Sequence, residues 1–282
     1  MGRGSMILQE RGDRLWVVRQ TDHAMLAGFL AREWGNEGWP RPDAFPSFCL
    51  AVGEHDNGWL EWELSPQLDP RTRLPYSFMS IPTLEHVNLY QRGIERVVKA
   101  DHYAGLLASL HCSSLYDRAR ATLPGFSAKY VKSNEAPAVS EFQQKLKLQQ
   151  LRLKVELRGN AATKALADEK SLERNVRRVE ALDRLSLHFC LNVQENTTIE
   201  GVPSEEPEGE ADWELRRDGE DVARLTPYPF RRSPLGISIL VRQVPKRLYG
   251  TDADFQRVLG QAPYVAMNFT LKAGNEAQIV AA

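Results

Sequence analysis

FPSFCLAVGEHDNGW, residues 45–59, is the stretch on which the reading of the fold turns. Pro46 suits a first helical turn, and the residues behind it are apolar on most sides, so a buried helix is expected. The helix ends in His55-Asp56, and Gly58 follows. An ionisable pair at the end of a buried helix is costly unless it is paired or holds a cation. The stretch therefore argues at once for a helical body and for a site inside it.

The same periodicity continues on both sides. DHAMLAGFLAREWG, 22–35, places Met25, Leu26, Phe29 and Leu30 on a helical face that Gly35 ends. PTLEHVNLYQRGIERVVK, 82–99, and DHYAGLLASLHCSSLYDRA, 101–119, predict two further helices, the second capped by Asp101. SEFQQKLKLQQLRLKVELRG, 140–159, is amphipathic and highly charged, and residues 163–192 predict another long helix. Between them SPQLDPRTRLPYSFMSIP, 65–82, with four prolines, reads as a long loop.

At the chain ends the period changes. MILQE and RLWVVRQ flank the turn signal RGD and predict a hairpin. EGVPSEEPEGEADW, 200–213, reads as an exposed linker. WELRR, DVARLT, GISILVRQV and YVAMNFTLK alternate or are β-branched, and predict strands. The expected architecture is mainly α: a helical bundle with a short N-terminal β-hairpin and a small C-terminal β-sheet. The divisions are a hairpin at 1–20, a helical domain at 21–195 and a β-rich extension at 205–282.

Bulk composition excludes some functions. With 282 residues and a net charge of -1, nothing recommends nucleic acid or an anionic membrane as partner. No apolar run approaches the roughly 20 residues needed to span a bilayer. The N-terminus shows no apolar signal segment, and Cys49, Cys112 and Cys190 sit far apart in apolar contexts. A soluble cytoplasmic protein with buried thiols is the expectation. No phosphate-binding glycine loop, nucleophile elbow or HExxH motif is present.

The histidines supply the chemistry. His23, His55, His86 and His111 lie on successive predicted helices, and Asp183 lies on a later one between Leu182 and Leu185. Imidazole and carboxylate are ligands of first-row transition metals. His102 and His111 are nine residues apart, hence on opposite helix faces, and the apolar neighbours of His111 favour it as the ligand. The candidate ligands are His23, His55, Asp56, His86, His111 and Asp183, around one or two divalent transition metal ions (Fe, Mn or Zn). Glu54 and Glu61, beside the dipeptide, are candidate proton acceptors, and Arg92 and Arg118 are candidates to meet an anionic group. Trp34, Trp39, Trp59 and Trp62 surround the dipeptide in sequence and are candidates for an aromatic pocket.

The order His23, His55-Asp56, His86, His111, Asp183 resembles the HD-domain superfamily of metal-dependent phosphohydrolases, through TDHAML, GEHDNGW, LEHVNLY, SLHCSSLY and LDRLSLHFC. That resemblance implies an HD-like helical bundle over about residues 21–190. It also implies a site in which Asp56 bridges one metal on His23, His55 and Asp183 to a second on His86 and His111. The chain departs from many such hydrolases in having Asn57-Gly58-Trp59 after the dipeptide, with no lysine. From MILQE through PYPFRR it also resembles an uncharacterised bacterial family, domain of unknown function 3891. The expected activity is hydrolysis of a phosphate ester or nucleotide-like small molecule, an anionic substrate. The alternatives are a di-iron oxygenase with similar ligands and a non-catalytic, metal-stabilised binding protein. The C-terminal sheet is open to two roles, cover of the pocket or a homodimer contact.

Overall fold

The computed structural model describes residues 6–116, 135–204 and 209–274. Eight α-helices are found among them: α1 (Gln20–Glu33), α2 (Phe45–Glu54), α3 (Leu60–Leu64), α4 (Thr83–Ala100), α5 (His102–Tyr116), α6 (Ala136–Arg158), α7 (Glu169–Cys190) and α8 (Asp252–Gln261). Seven strands accompany them: β1 (Ile7–Arg11), β2 (Arg14–Val18), β3 (Thr197–Pro203), β4 (Glu210–Arg217), β5 (Val222–Thr226), β6 (Leu235–Pro245) and β7 (Tyr264–Ala273).

All seven strands form one sheet in the order β1-β2-β6-β7-β5-β4-β3. Every neighbouring pair is antiparallel except β5 and β7, which run parallel. The N-terminal hairpin forms as its turn signal predicts, with Ile7 opposite Val18 and Gly12 at a φ of 59° in the turn. It then extends the C-terminal strands, because β2 pairs β6 with Leu15 opposite Val244 and Val17 opposite Arg242.

This corrects the expected fold class. The protein is not a mainly α, HD-like bundle with a small appended sheet. About half of it is helical and 23% is strand, and the strands make a single curled mixed sheet. The physical reason is strand pairing at long range. A hairpin read alone is marginal, and nothing local in its sequence shows that its partner lies over 200 residues away. Two elements were also missed. The acidic segment read as a linker contributes its ends to β3 and β4, which pair through a bulge between Ile199 and Val202. Helix α8, capped by the Thr251 side chain on the Asp254 N–H, lies between β6 and β7.

One large apolar core joins helices to sheet. Leu26, Leu30, Val52, Leu107, Val179 and Leu182 from the helices meet Trp213, Ile237, Val241 and Phe269 from the strands. The Trp34, Trp39 and Trp213 rings pack together at centroid distances of 5.6 to 5.8 Å. On the helical side, α1 and α2 cross where Gly28 meets Gly53; a Cβ on Gly28 would stand 2.7 Å from the Gly53 Cα. The short 3-10 turn Asn57–Trp59 lies flat on α4, since a Cβ on Gly58 would fall on the Leu89 carbonyl. These two glycine contacts seat α2 against α1 and the turn that follows α2 against α4. The predicted loop at 65–82 carries no helix or named strand, only an isolated bridge from Leu68 to Pro75.

Candidate metal centre

Helix α1 starts at Gln20 without a side-chain cap from Arg19. Its first amide is instead taken by the buried carboxylate of Glu63, which also accepts from the Thr21 hydroxyl at 2.6 Å. That anchor, one turn away, sets His23. His55 is the C-cap of α2, and Asp56 opens the turn that Gly58 presses onto α4. His111 lies in α5, capped by Asp101 on the Ala104 N–H at 2.8 Å, and Asp183 lies in α7, capped by Asp168 on the Ser171 N–H.

These five side chains converge. His23, His55, Asp56, His111 and Asp183 are each 1 to 5% exposed. His23 Nε2 stands 3.2 Å from His55 Nε2 and 3.1 Å from Asp183 Oδ1. His55 Nε2 is 3.6 Å from the same oxygen, and both imidazole nitrogens are 3.7 Å from Asp56 Oδ2. His111 Nε2 approaches Asp183 Oδ2 to 3.6 Å, and its ring crosses that of His55 edge to face at 5.2 Å. Two overlapping ligand groups result, His23 with His55 and Asp56, and His55 with His111 and Asp183.

Hydrogen bonds behind the rings decide which nitrogens face inward. The Val52 carbonyl can only accept, so at 2.7 Å it takes a proton from His55 Nδ1. Ser186 Oγ donates to the Asp183 carbonyl at 2.9 Å, so it accepts from His23 Nδ1 at 2.7 Å. A ring that carries only this proton turns a lone pair, on Nε2, toward the other ring and toward two buried carboxylates. Such an arrangement repels itself unless a cation sits among the atoms. A proton on His55 is one answer: burial works against it, but Asp56 and Asp183 outweigh burial and raise this imidazole to about 9. Burial likewise works to raise the Asp183 carboxyl, and His23 and His55 hold it well below the usual carboxylate range.

The cluster could also hold a metal ion, which would engage His111 as well, whereas a proton serves one pair of atoms. Both His111 nitrogens are buried with no hydrogen-bond partner among the described residues, and burial lowers the affinity of that ring for a proton. Ligand atoms held tetrahedrally at about 2.1 Å from an ion stand about 3.4 Å apart, within the spread of distances seen here. The inward Nε2 atoms with Nδ1 held from behind are the arrangement that orients metal-binding histidines. Asp56 is held likewise, its Oδ1 accepting from the Tyr90 hydroxyl at 2.7 Å.

The other expected residues lie elsewhere. His86 stays outside both ligand groups: its Nδ1 meets the Tyr116 hydroxyl, and Trp59 and Tyr90 pack on its ring at 5.7 and 4.6 Å. Burial lowers it to about 3. It does line the small cavity beside the cluster, together with Trp59, Phe78, Leu115 and Leu187. Glu54 is exposed and lines a different groove with Arg32, Phe45 and Cys49. Glu61 is paired with Arg96, and Arg92 is exposed 3.7 Å from Glu85. Arg118 lies outside the described residues. Of the four tryptophans only Trp59 reaches the cavity; Trp34 and Trp39 are core, and Trp62 packs on Tyr76. His102 faces Glu156 at 3.1 Å on the surface, and the three cysteines are free and buried. No helix among the described residues is long and apolar enough to cross a membrane. Ser186 and Gln20 were missed by sequence reading; the only available signal was their one-turn spacing from Asp183 and His23.

With this geometry in view, the chain matches over residues 6–246 the family described as Protein of unknown function (DUF3891). It belongs to that family. The match covers the helical body and the strands through β6, while α8 and β7, the strand that pairs parallel with β5, lie beyond it. Comparison with curated proteins and with solved structures gives no match. The resemblance to HD-domain phosphohydrolases gains no support from any of these comparisons.

Proposed function

We propose that this DUF3891 protein is a metal-dependent hydrolase of a small molecule, with His23, His55, Asp56 and Asp183, joined by His111, holding a divalent transition metal. The observation that carries the reading is the pair of back-protonated imidazoles facing each other at 3.2 Å between two buried carboxylates. When bound, such an ion supplies Lewis acidity and lowers the pKa of a coordinated water. The chain's own residues do the rest. Val52 and Ser186 fix the ring tautomers, Tyr90 fixes Asp56, and the apolar neighbours keep bulk water out. Among the cavity residues only Phe78 and Leu115 are partly exposed, so a substrate would approach between the 65–82 loop and the end of α5.

Phosphate esters are the first substrate class to test, on the strength of the ligand set. One observation favours the second reading, an oxygenase: among the described residues the cavity wall holds no Lys or Arg to neutralise a phosphate. The experiment is metal analysis of the purified full chain, followed by turnover of a phosphodiester and nucleotide panel and by oxygen consumption. Zinc or manganese with phosphate release supports the hydrolase. Iron with oxygen uptake replaces it by the oxygenase, and bound metal without turnover leaves a metal-stabilised binding protein. A chain that binds none of these ions ends the proposal.

A further inference from the structure

The cavity beside the cluster has a volume of about 30 Å³. One water-sized molecule needs roughly 10–15 Å³ of such space, so there is room for one or two. The wall is not purely apolar. Gln20 and Trp59 lie in it, 3% and 1% exposed, and Gln20 Oε1 and Trp59 Nε1 have no hydrogen-bond partner among the described residues. An unpaired buried donor or acceptor costs on the order of 1–3 kcal/mol. The two residues flank the ligands symmetrically in sequence, Gln20 three before His23 and Trp59 three after Asp56.

The chemistry of the occupant follows from these two atoms and their neighbours. An occupant that satisfies both atoms accepts from the indole N–H and donates to the amide oxygen. A fully deprotonated anion could accept but not donate, and it would face Asp56 and Asp183 with no Lys or Arg among the described lining residues. An ammonium group could donate but has nothing to offer the indole. Water does both and fits the volume. We infer that Gln20 and Trp59 are positioning residues that seat one uncharged, water-sized molecule against the His/Asp cluster. The inference rests on the metal reading above, in which that molecule is the attacking water.

The test uses the zinc-loaded full chain with 15N-labelled tryptophan. The Trp59 indole signal is assigned among the six tryptophans by its loss in Trp59→Phe. The expected result is cross-relaxation between the Trp59 indole proton and a long-lived water, abolished in Gln20→Leu with bound zinc unchanged. A wild-type Trp59 indole with no water contact overturns the inference, and so does a contact that survives in Gln20→Leu. The wild-type measurement stands even if the variant does not fold. Zinc content is read separately: a chain that shows the water contact but takes up no zinc sinks the metal centre and leaves the positioning pair.

Discussion

At the scale of single residues, the site depends on atoms that sit one step behind the ligands. Asp183 is the carboxylate nearest all three converging imidazoles, so Asp183→Ala is expected to lose metal altogether, as is Asp56→Ala. Ser186→Ala should be milder. Removing a partner behind a ligating histidine typically weakens metal binding about 10- to 100-fold, and zinc titration by calorimetry will show whether Ser186 belongs to that class. An unchanged affinity would mean that the His23 tautomer is set by something else.

A second residue-scale effect is pH. Burial, aided by Arg217, lowers His188 from 6.5 to about 4, and its Nδ1 meets the Thr197 hydroxyl at 3.2 Å. The folded chain therefore binds this proton less readily than the unfolded chain. The group's contribution to stability is complete above 6.5 and is lost as pH falls toward 4. His86, lowered to about 3 by burial, acts in the same direction. The loss for His188 alone is on the order of 3 kcal/mol. Glu63, raised to about 7 by burial, acts in the opposite sense, so the test is a difference: between about pH 7 and about pH 4.5 the urea midpoint of the wild type should fall relative to that of His188→Gln, and parallel midpoints contradict the assignment.

At the scale of elements, two glycines decide whether the ligands can meet. Gly28 lets α1 rest on α2 at Gly53, and Gly58 lets the turn after Asp56 rest on α4 at Leu89. In neither place is the obstruction a flexible side chain; it is backbone. Overpacking of this kind costs about 1–3 kcal/mol and sometimes more. Gly58→Ala is expected to lower thermal stability and to cut metal uptake, because Asp56 and Trp59 move with the turn. Stability and metal content both at wild-type level would show that the turn has room to spare. The element boundaries were largely legible: the Pro46 start of α2, the Asp101 cap of α5 and the loop at 65–82 all follow from local rules. Ligand candidacy was legible too, since a histidine or aspartate among apolar neighbours at helical spacing asks for a partner. His86 shows the limit of that rule. It too has apolar neighbours, Val87 and Leu89, yet a tyrosine hydroxyl, not the cluster, meets its Nδ1.

At the scale of the whole molecule, the sheet is what local reasoning could not assemble. Leu15 and Val17 belong to a satellite core with Val244, Tyr249, Phe255 and Leu259, so the N-terminal hairpin and α8 hold each other through β6. Leu15→Ala is expected to cost about 2–5 kcal/mol, read as a fall in melting temperature of the entire chain in a single transition. A separate low-temperature transition of the C-terminal region would show instead that the sheet folds apart from the helical body.

Sequence by itself determined the helices other than α3 and α8, the hairpin, four of the later strands and a short list of metal-ligand candidates, because period, caps and turn residues act over a few positions. Tertiary structure alone decided that β2 joins β6, that five of the six candidate ligands gather in two overlapping groups, and which ring nitrogens turn inward. Strand pairing and side-chain convergence depend on contacts between residues tens to hundreds of positions apart, and no local pattern carries that information.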